Sequence, residues 1–249
     1  MLSIGCSDPW NAAGTGLDIR ALFDCGVRPV TALAGVTAQD AAGLHAARAV
    51  APELLAAQLD ALAGAGPGAY RIGALLDVAT VEVVAAHVRA SGVPAVYDPV
   101  FGPSGGGSFV TAGVAAAIAR DLVPAVAIVT PNLDEAGRLT GRPAPSDAAG
   151  MERAARALVA SGAGAALVKG GHLVAGGLCD VLVDAGGTVV FEAPRIEGTL
   201  RGSGCLLACG IAAGLARGAT LRDAIEGARA FVRERFANAI TLDGMRVAY

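Results

Sequence analysis

Lysine is all but missing from this chain: of its 19 basic residues, only Lys169 is not an arginine. Charge is sparse, at 16% of residues with a formal net charge of -3, and the arginines are scattered without interleaved aromatics. Such a surface lacks the basic field that holds a phosphodiester backbone, so nucleic acid is not an expected partner. The three histidines, His45, His87 and His172, do not have the spacing of metal ligands. His45 and His87 read as surface or helix-face residues, while His172 beside a glycine pair stays ambiguous. The five cysteines, Cys6, Cys25, Cys179, Cys205 and Cys209, contain no C-x-x-C pair. An odd count without such a pair excludes a disulfide framework and a zinc site as expectations and fits reduced thiols in the cytosol. No run of about 18 residues escapes polar or glycine interruption, and the chain opens on a short apolar strand without a basic leader. No membrane association and a cytoplasmic location are therefore expected.

What is abundant is small and apolar. Hydrophobic residues make up 54% of the 249 positions, and glycine occurs 35 times. That length and composition suit one tightly packed α/β domain spanning residues 1–249. Short apolar runs at 2–6, 29–34, 69–72, 95–98, 125–130 and 165–168 read as strands. Helical stretches fall between and after them at 52–63, 78–90, 112–122, 151–160, 206–216 and 221–239. The alternation predicts a mostly parallel central sheet with helices on both faces. Residues 179–184 and 188–192, separated by Gly186-Gly187, predict an appended β-hairpin. The glycine- and serine-rich stretch 102–108 predicts a mobile loop, and no internal repeat is present.

Lys169 ends an apolar strand run and precedes Gly170-Gly171. A chance surface lysine would look similar, but a strand end followed by glycines is where α/β enzymes hold anions, and a flexible ammonium can follow a phosphoryl group. Arg201-Gly202-Ser203-Gly204-Cys205 opens an alanine-rich helix. A glycine turn at a helix start gathers backbone N–H groups and the positive end of the helix dipole into an anion hole. The same field would favour a Cys205 thiolate, making it a candidate base; the alternative is a buried structural thiol, which Cys209 one turn later also resembles. Asn132 and Glu135 lie three apart at a helix start, either as a capping box or as a carboxylate organising Mg2+ near nucleotide phosphates. Asp8-Pro9 and Asp98-Pro99 follow two further strands, where each aspartate either satisfies turn N–H groups or faces a ligand. One sheet edge would collect all four sites into one cleft. Gly14-Thr15-Gly16 is followed by Ile19 rather than the glycine of a dinucleotide fingerprint, and Lys169 has no G-x-x-x-x-G before it, which excludes a Rossmann motif and a P-loop.

In order along nearly the whole chain, these pieces resemble the hydroxymethylpyrimidine/phosphomethylpyrimidine kinases of the ribokinase-like superfamily. The matching segments are Ser7-Asp8-Pro9 with Ala13-Gly14 and Asp18, Thr37-Ala38-Gln39, Ile72-Gly73, Asp98-Pro99-Val100, Pro131-Asn132-Leu133 with Glu135-Ala136, Lys169-Gly170-Gly171-His172, Ala193-Pro194-Arg195-Ile196 and Gly202 to Cys205. The resemblance implies a three-layer ribokinase-like fold, and ATP-dependent phosphorylation of a hydroxymethylpyrimidine and then of its monophosphate in thiamine biosynthesis. It implies that Gln39, Asp8, Ala13, Gly14, Trp10 and Ala74 line the acceptor pocket, with Gln39 bonding the ring. It further implies that Lys169, Asn132 and Asp98 serve ATP, that Glu135 and Asp98 support Mg2+, and that Gly202, Ser203, Gly204 and Cys205 form the catalytic turn. A homodimer is also what the resemblance implies. Cys205, where sugar kinases of the superfamily carry aspartate, points to the pyrimidine branch.

The departures bear on the acceptor. The family's Asp-Pro-Ser-Gly-Gly-Ala-Gly is here Asp8-Pro9-Trp10-Asn11-Ala12-Ala13-Gly14, which sets an indole where a ligand would approach. Gly16 replaces a glutamine, Ala74 a pocket methionine and Arg71 a lysine, while Arg201 and Ser203 replace the histidine and threonine of His-Gly-Thr-Gly-Cys. The family's glycine-rich C-terminal tail has no counterpart up to Tyr249. A pyridoxal-type kinase is the rival activity, and a pyrimidine-binding paralogue without turnover is the rival class.

Overall fold

Alternation along the first strand decides which way the sheet faces. In β1 (Leu2–Ser7), Leu2 and Ile4 enter one apolar cluster, while Ser3 turns to the opposite face. The computed structural model describes residues 1–102, 108–171, 178–194 and 196–248. His172, Arg195, Tyr249 and positions 103–107 of the glycine-rich stretch lie outside the described residues.

After β1 come α1 (Gly14–Asp24), β2 (Val30–Asp40), β3 (Gly43–Ala49), α2 (Pro52–Ala61), β4 (Tyr70–Ile72) and α3 (Val78–Ser91). Next are β5 (Ala95–Tyr97), α4 (Ala112–Ala117), β6 (Ile128–Val129), α5 (Leu133–Thr140), α6 (Ala148–Ala160) and β7 (Ala166–Lys169). The chain then forms β8 (Leu178–Asp184), β9 (Gly187–Ala193), α7 (Ser203–Ala216), α8 (Leu221–Ala237), β10 (Ile240–Leu242) and β11 (Met245–Val247). Nine strands make one sheet in the order β3-β2-β1-β4-β5-β6-β7-β8-β9. From β2 to β7 neighbours run parallel, while β3 at one edge and the β8–β9 hairpin at the other are antiparallel. The mostly parallel sheet and the appended hairpin are as expected.

Helices cover both faces. Tyr97 and Val168 turn to the side of α2 to α6, where Leu55, Val84 and Met151 are fully buried. Val96 and Leu167 turn to the other side, against Ile211 of α7 and Ile225 of α8. Removing each such side chain from water contributes roughly 1.5–3 kcal/mol, offset by the entropy of ordering it. Helices α7 and α8 approach closely because Gly210 and Gly214 have no Cβ; one added at either would stand 2.7 Å from the Cβ of Ala228 or Ala224.

Several elements differ from the sequence expectation, β3 (Gly43–Ala49) among them. Strand β2 runs on to Asp40 because β3 supplies a partner for residues 35–40. Pro124 sits in a 3-10 turn, Val123–Ala125, so the strand expected over 125–130 shrinks to β6. Helix α1 was not expected, although Leu17, Ala21 and Leu22 form its buried stripe. The β10–β11 hairpin closes on Asp243-Gly244, both at positive φ (47° and 75°), an Asp-Gly turn of the kind that right-twisted strands favour. Among the described residues, no helix is long and apolar enough to cross a membrane.

Candidate active site

The sheet reverses direction of growth at β1, with β2 on one side and β4 on the other. The carboxyl ends of strands around such a point form a crevice. Here it is a cavity of about 660 Å³ reached by Asp8 after β1, Ala74 after β4, Asp98 after β5, Asn132 after β6, and Lys169 at the end of β7. The glycine turn before α7 lines the same cavity.

At the centre, Lys169 Nζ donates to Asp98 Oδ1 at 2.9 Å. Burial alone would lower the Lys169 pKa; Asp98 and Glu135 outweigh it and hold the ammonium above its ordinary value. A Cβ placed on Gly204 would lie 3.2 Å from Lys169 Nζ and 3.4 Å from Asp98 Oδ1, so the turn faces this pair directly. Gly202 caps α7 at φ 80°, where a Cβ would come within 2.4 Å of Ala12 O. Gly14 (φ 60°) is equally confined by Cys6 O. The Ser203 N–H is already given to Leu200 O at 3.2 Å, which corrects the expectation that this amide serves a ligand. The first-turn amides of Gly204 and Cys205 have no partner within the helix and carry the positive end of its dipole.

Cys205 is buried, and loss of water pushes its thiol up to about 11. The expected thiolate is therefore corrected: desolvation outweighs the Arg71 charge and the Gly14 amide that favour ionisation. Cys209 is the buried structural thiol expected, donating to Asp18 Oδ1 at 3.4 Å.

Asn132 and Glu135 form the complete capping box: Asn132 Oδ1 accepts from Glu135 N at 2.9 Å, and Glu135 Oε2 accepts from Asn132 N at 2.7 Å. The same Glu135 lines the cavity, where burial raises its carboxyl to about 7 against the pull of Lys169. A buried hard-oxygen donor on the cavity wall would fit a hydrated Mg2+. Asp98 fits less well than expected, because Lys169 takes Oδ1 and Arg71 Nη2 takes Oδ2 at 3.1 Å.

Gln39, Ala74, Ala13, Gly14 and Asp8, the residues assigned to the acceptor, all line the cavity. Gln39 Nε2 donates to Thr37 Oγ1 at 3.1 Å, which fixes the amide plane. Asp8 accepts from the amides of Ala12 and Ala13 at 3.1 and 3.0 Å, so it shapes its turn as well as the cavity. Trp10 is a correction: it is 41% exposed and is not among the cavity-lining residues, because the Asp8 turn directs it outward. Gly16 leaves room for Asn11, whose Oδ1 would lie 1.8 Å from a Cβ at that position. Arg201 lines the cavity and donates to Asp40 O at 2.8 Å, with Nη2 4.0 Å from Asp8.

Two cavity residues were given no site role from the sequence, Arg71, noted only as a departure from a lysine, and Asp180. Arg71 interrupts an apolar strand run, and that interruption was the available signal. Asp180 of β8 accepts from Gly170 N at 3.2 Å and pairs with Arg229 of α8, tying the strand end that carries Lys169 to the hairpin. His45 is exposed and pairs with Asp40, and His87 packs on Tyr70 with ring centroids 5.6 Å apart, both as bland as expected.

Known proteins resemble this chain along nearly its whole length. The profile of a family described as phosphomethylpyrimidine kinase matches residues 8–248. The hydroxymethylpyrimidine/phosphomethylpyrimidine kinase of Rhizobium meliloti is 36% identical over 244 residues, covering 97% of this chain and 92% of its own. The thiamine biosynthesis bifunctional protein ThiED of Geobacter sulfurreducens is 35% identical over 93% of this chain and 48% of its own length. Among solved structures, an ADP complex of Bacillus subtilis pyridoxal kinase superposes with a TM-score of 0.90 at 26% identity, covering 99% of this chain and 96% of that one.

Proposed function

Because the chain belongs to the phosphomethylpyrimidine kinase family, we propose that it transfers the γ-phosphoryl group of ATP to 4-amino-5-hydroxymethyl-2-methylpyrimidine and then to the resulting monophosphate, within thiamine biosynthesis. The observation that carries this reading is the convergence of Lys169, Asp98 and the Gly202–Cys205 turn on one cavity. Phosphoryl transfer demands little covalent help from a protein and much positioning and charge stabilisation. The Lys169 ammonium neutralises phosphate oxygens, and the Gly204 and Cys205 amides donate to the oxygens of the phosphoryl group as it passes from ADP to the acceptor. Gln39 reads the pyrimidine with one amide that both donates and accepts. Asn132 supports the nucleotide and, through the capping box, holds Glu135 in place. When bound, Mg2+ held through Glu135 supplies charge neutralisation at the nucleotide phosphates.

A protonated Cys205 serves as a filler and weak donor beside the turn, not as a base. The second acceptor is itself a phosphate anion, so the second transfer needs no base. The five free cysteines support a cytoplasmic location, and a homodimer belongs to the same reading.

Pyridoxal phosphorylation is the second reading, favoured by the likeness to the B. subtilis pyridoxal kinase and by the small Ala74 on the acceptor side. The intact Lys169, Asp98 and Glu135 argue against a paralogue that binds without turnover. Mass spectrometry of the products formed from Mg2+, ATP and the pyrimidine alcohol tests the proposal. Mono- and diphosphorylated pyrimidine are expected; neither product, from folded protein, overturns it.

A further inference from the structure

Arg71 lies in the middle of β4, between the buried Tyr70 and Ile72, and is itself 1% exposed. Its guanidinium meets a carboxylate on each side: Nη1 stands 3.1 Å from Asp18 Oδ2 and Nη2 stands 3.1 Å from Asp98 Oδ2. Asp18, on α1, is fully buried and also accepts from Ser3 Oγ at 2.6 Å and Cys209 Sγ at 3.4 Å. The other oxygen of Asp98 accepts from Lys169. Four charges of alternating sign are thus connected from α1 to the end of β7: Asp18, Arg71, Asp98, Lys169. Gly73 makes the room, since a Cβ there would lie 2.0 Å from Arg71 Nη1.

An isolated Lys169–Asp98 pair would be neutral, and both carboxylate oxygens would be open to the ammonium. Such a carboxylate can engage more than one of the ammonium donors. Arg71 on Oδ2 removes one of those oxygens, while Asp18 on its other side balances its charge. Lysine has three donors, and one is enough for the single oxygen that remains. An ammonium at position 71 lacks the fork that spans two carboxylates, whereas a guanidinium carries donors on both sides and stays charged.

We propose that Arg71 is a positioning residue for the nucleotide: by occupying Oδ2 of Asp98 it restricts that carboxylate to one contact with Lys169, leaving two ammonium donors for ATP phosphates. The inference rests on the assignment of Lys169 to those phosphates. It does not depend on which acceptor the cavity takes.

The test is calorimetric binding of a non-hydrolysable ATP analogue, joined to KM values for ATP and acceptor, with thermal melts of each variant. Removing one buried charge of each sign together, in R71M/D18N, leaves no new unpaired buried ion. The double variant is expected to bind the analogue about tenfold more weakly and to raise KM for ATP by a similar factor, with acceptor KM within about twofold. R71K, which keeps the charge and loses the fork, is expected to weaken analogue binding by about threefold or more. Unchanged analogue affinity in the folded double variant overturns the proposal, as does a parallel loss for analogue and acceptor, the mark of a collapsed site. Where the double variant does not fold, R71K decides, and wild-type affinity in R71K overturns the proposal. Absence of phosphoryl transfer by the wild type, with analogue binding still dependent on Arg71, would refute the acceptor assignment and leave this inference standing.

Discussion

The ammonium nitrogen of Lys169 lies so close to Gly204 that a methyl group on that glycine would stand 3.2 Å from it. One residue comes from the end of β7 and the other from the first turn of α7, and under the proposed function the phosphoryl group passes between them. Gly204→Ala therefore acts on chemistry more than on fold. It is expected to lower kcat/KM by about 10–100-fold, with only a small change in melting temperature, since Gly204 is helical and alanine favours helix. Gly202→Ala is expected to behave differently. Its φ of 80° and the 2.4 Å approach to Ala12 O make strain unavoidable, on the order of 1–3 kcal/mol, so the melting temperature falls as well as the activity. Steady-state kinetics beside calorimetry separates the two.

Loss of the single lysine should be severe for catalysis and mild for stability. In Lys169→Met, Asp98 keeps its contact with Arg71, so no buried carboxylate is orphaned. A fall in kcat of about 10²–10³-fold is expected, the range seen when one preorganised charge or donor is removed from a developing anion. A melt within a few degrees of wild type, measured on the same preparation, shows that the loss is chemical.

Cys205 is held neutral by burial, its thiol pushed up to about 11. A group with that value does not titrate between pH 6 and 9. Cys205→Ser is accordingly expected to keep activity within about tenfold and to leave the shape of the kcat–pH profile in that window unchanged. An acidic or basic limb that vanishes in Cys205→Ser would contradict this.

Glu135 carries a sign that can be read by calorimetry. Its carboxyl rises from an ordinary 4.5 to about 7 on folding, because burial disfavours the charged form. The native state then holds the extra proton between those values, and the stability this group contributes is lost as pH rises through that window. Glu135→Gln can still accept the Asn132 N–H, so it is expected to melt roughly 2–4 °C higher than wild type at pH 8. At pH 5 the gain should vanish. Activity should fall at pH 8 and the Mg2+ requirement should rise, and equal melts at both pH values would argue against a raised pKa.

Much of this was legible in the chain itself. The parallel order, the helices on both faces and the β8–β9 hairpin follow from apolar runs spaced by amphipathic stretches, and Lys169 and the glycine turn follow from glycines at a strand end and a helix start. What escaped depends on tertiary context. Strand β3 exists through pairing with β2, and its residues alternate too weakly to announce it. Cys205 misled because the dipole of α7 is visible in sequence while desolvation is not. Trp10 misled because an Asp8-centred turn directs it outward. Arg71 stood out only as a departure from a lysine, and its partners Asp18 and Asp98 come together only in the fold.

The central claim, a Mg2+- and ATP-dependent pyrimidine kinase, is tested most directly by ADP release with the pyrimidine alcohol, its monophosphate and pyridoxal side by side. The expected result is a kcat/KM at least about tenfold higher for either pyrimidine than for pyridoxal, abolished by Lys169→Met. Turnover of pyridoxal alone, or ADP release that Lys169→Met leaves untouched, would contradict it.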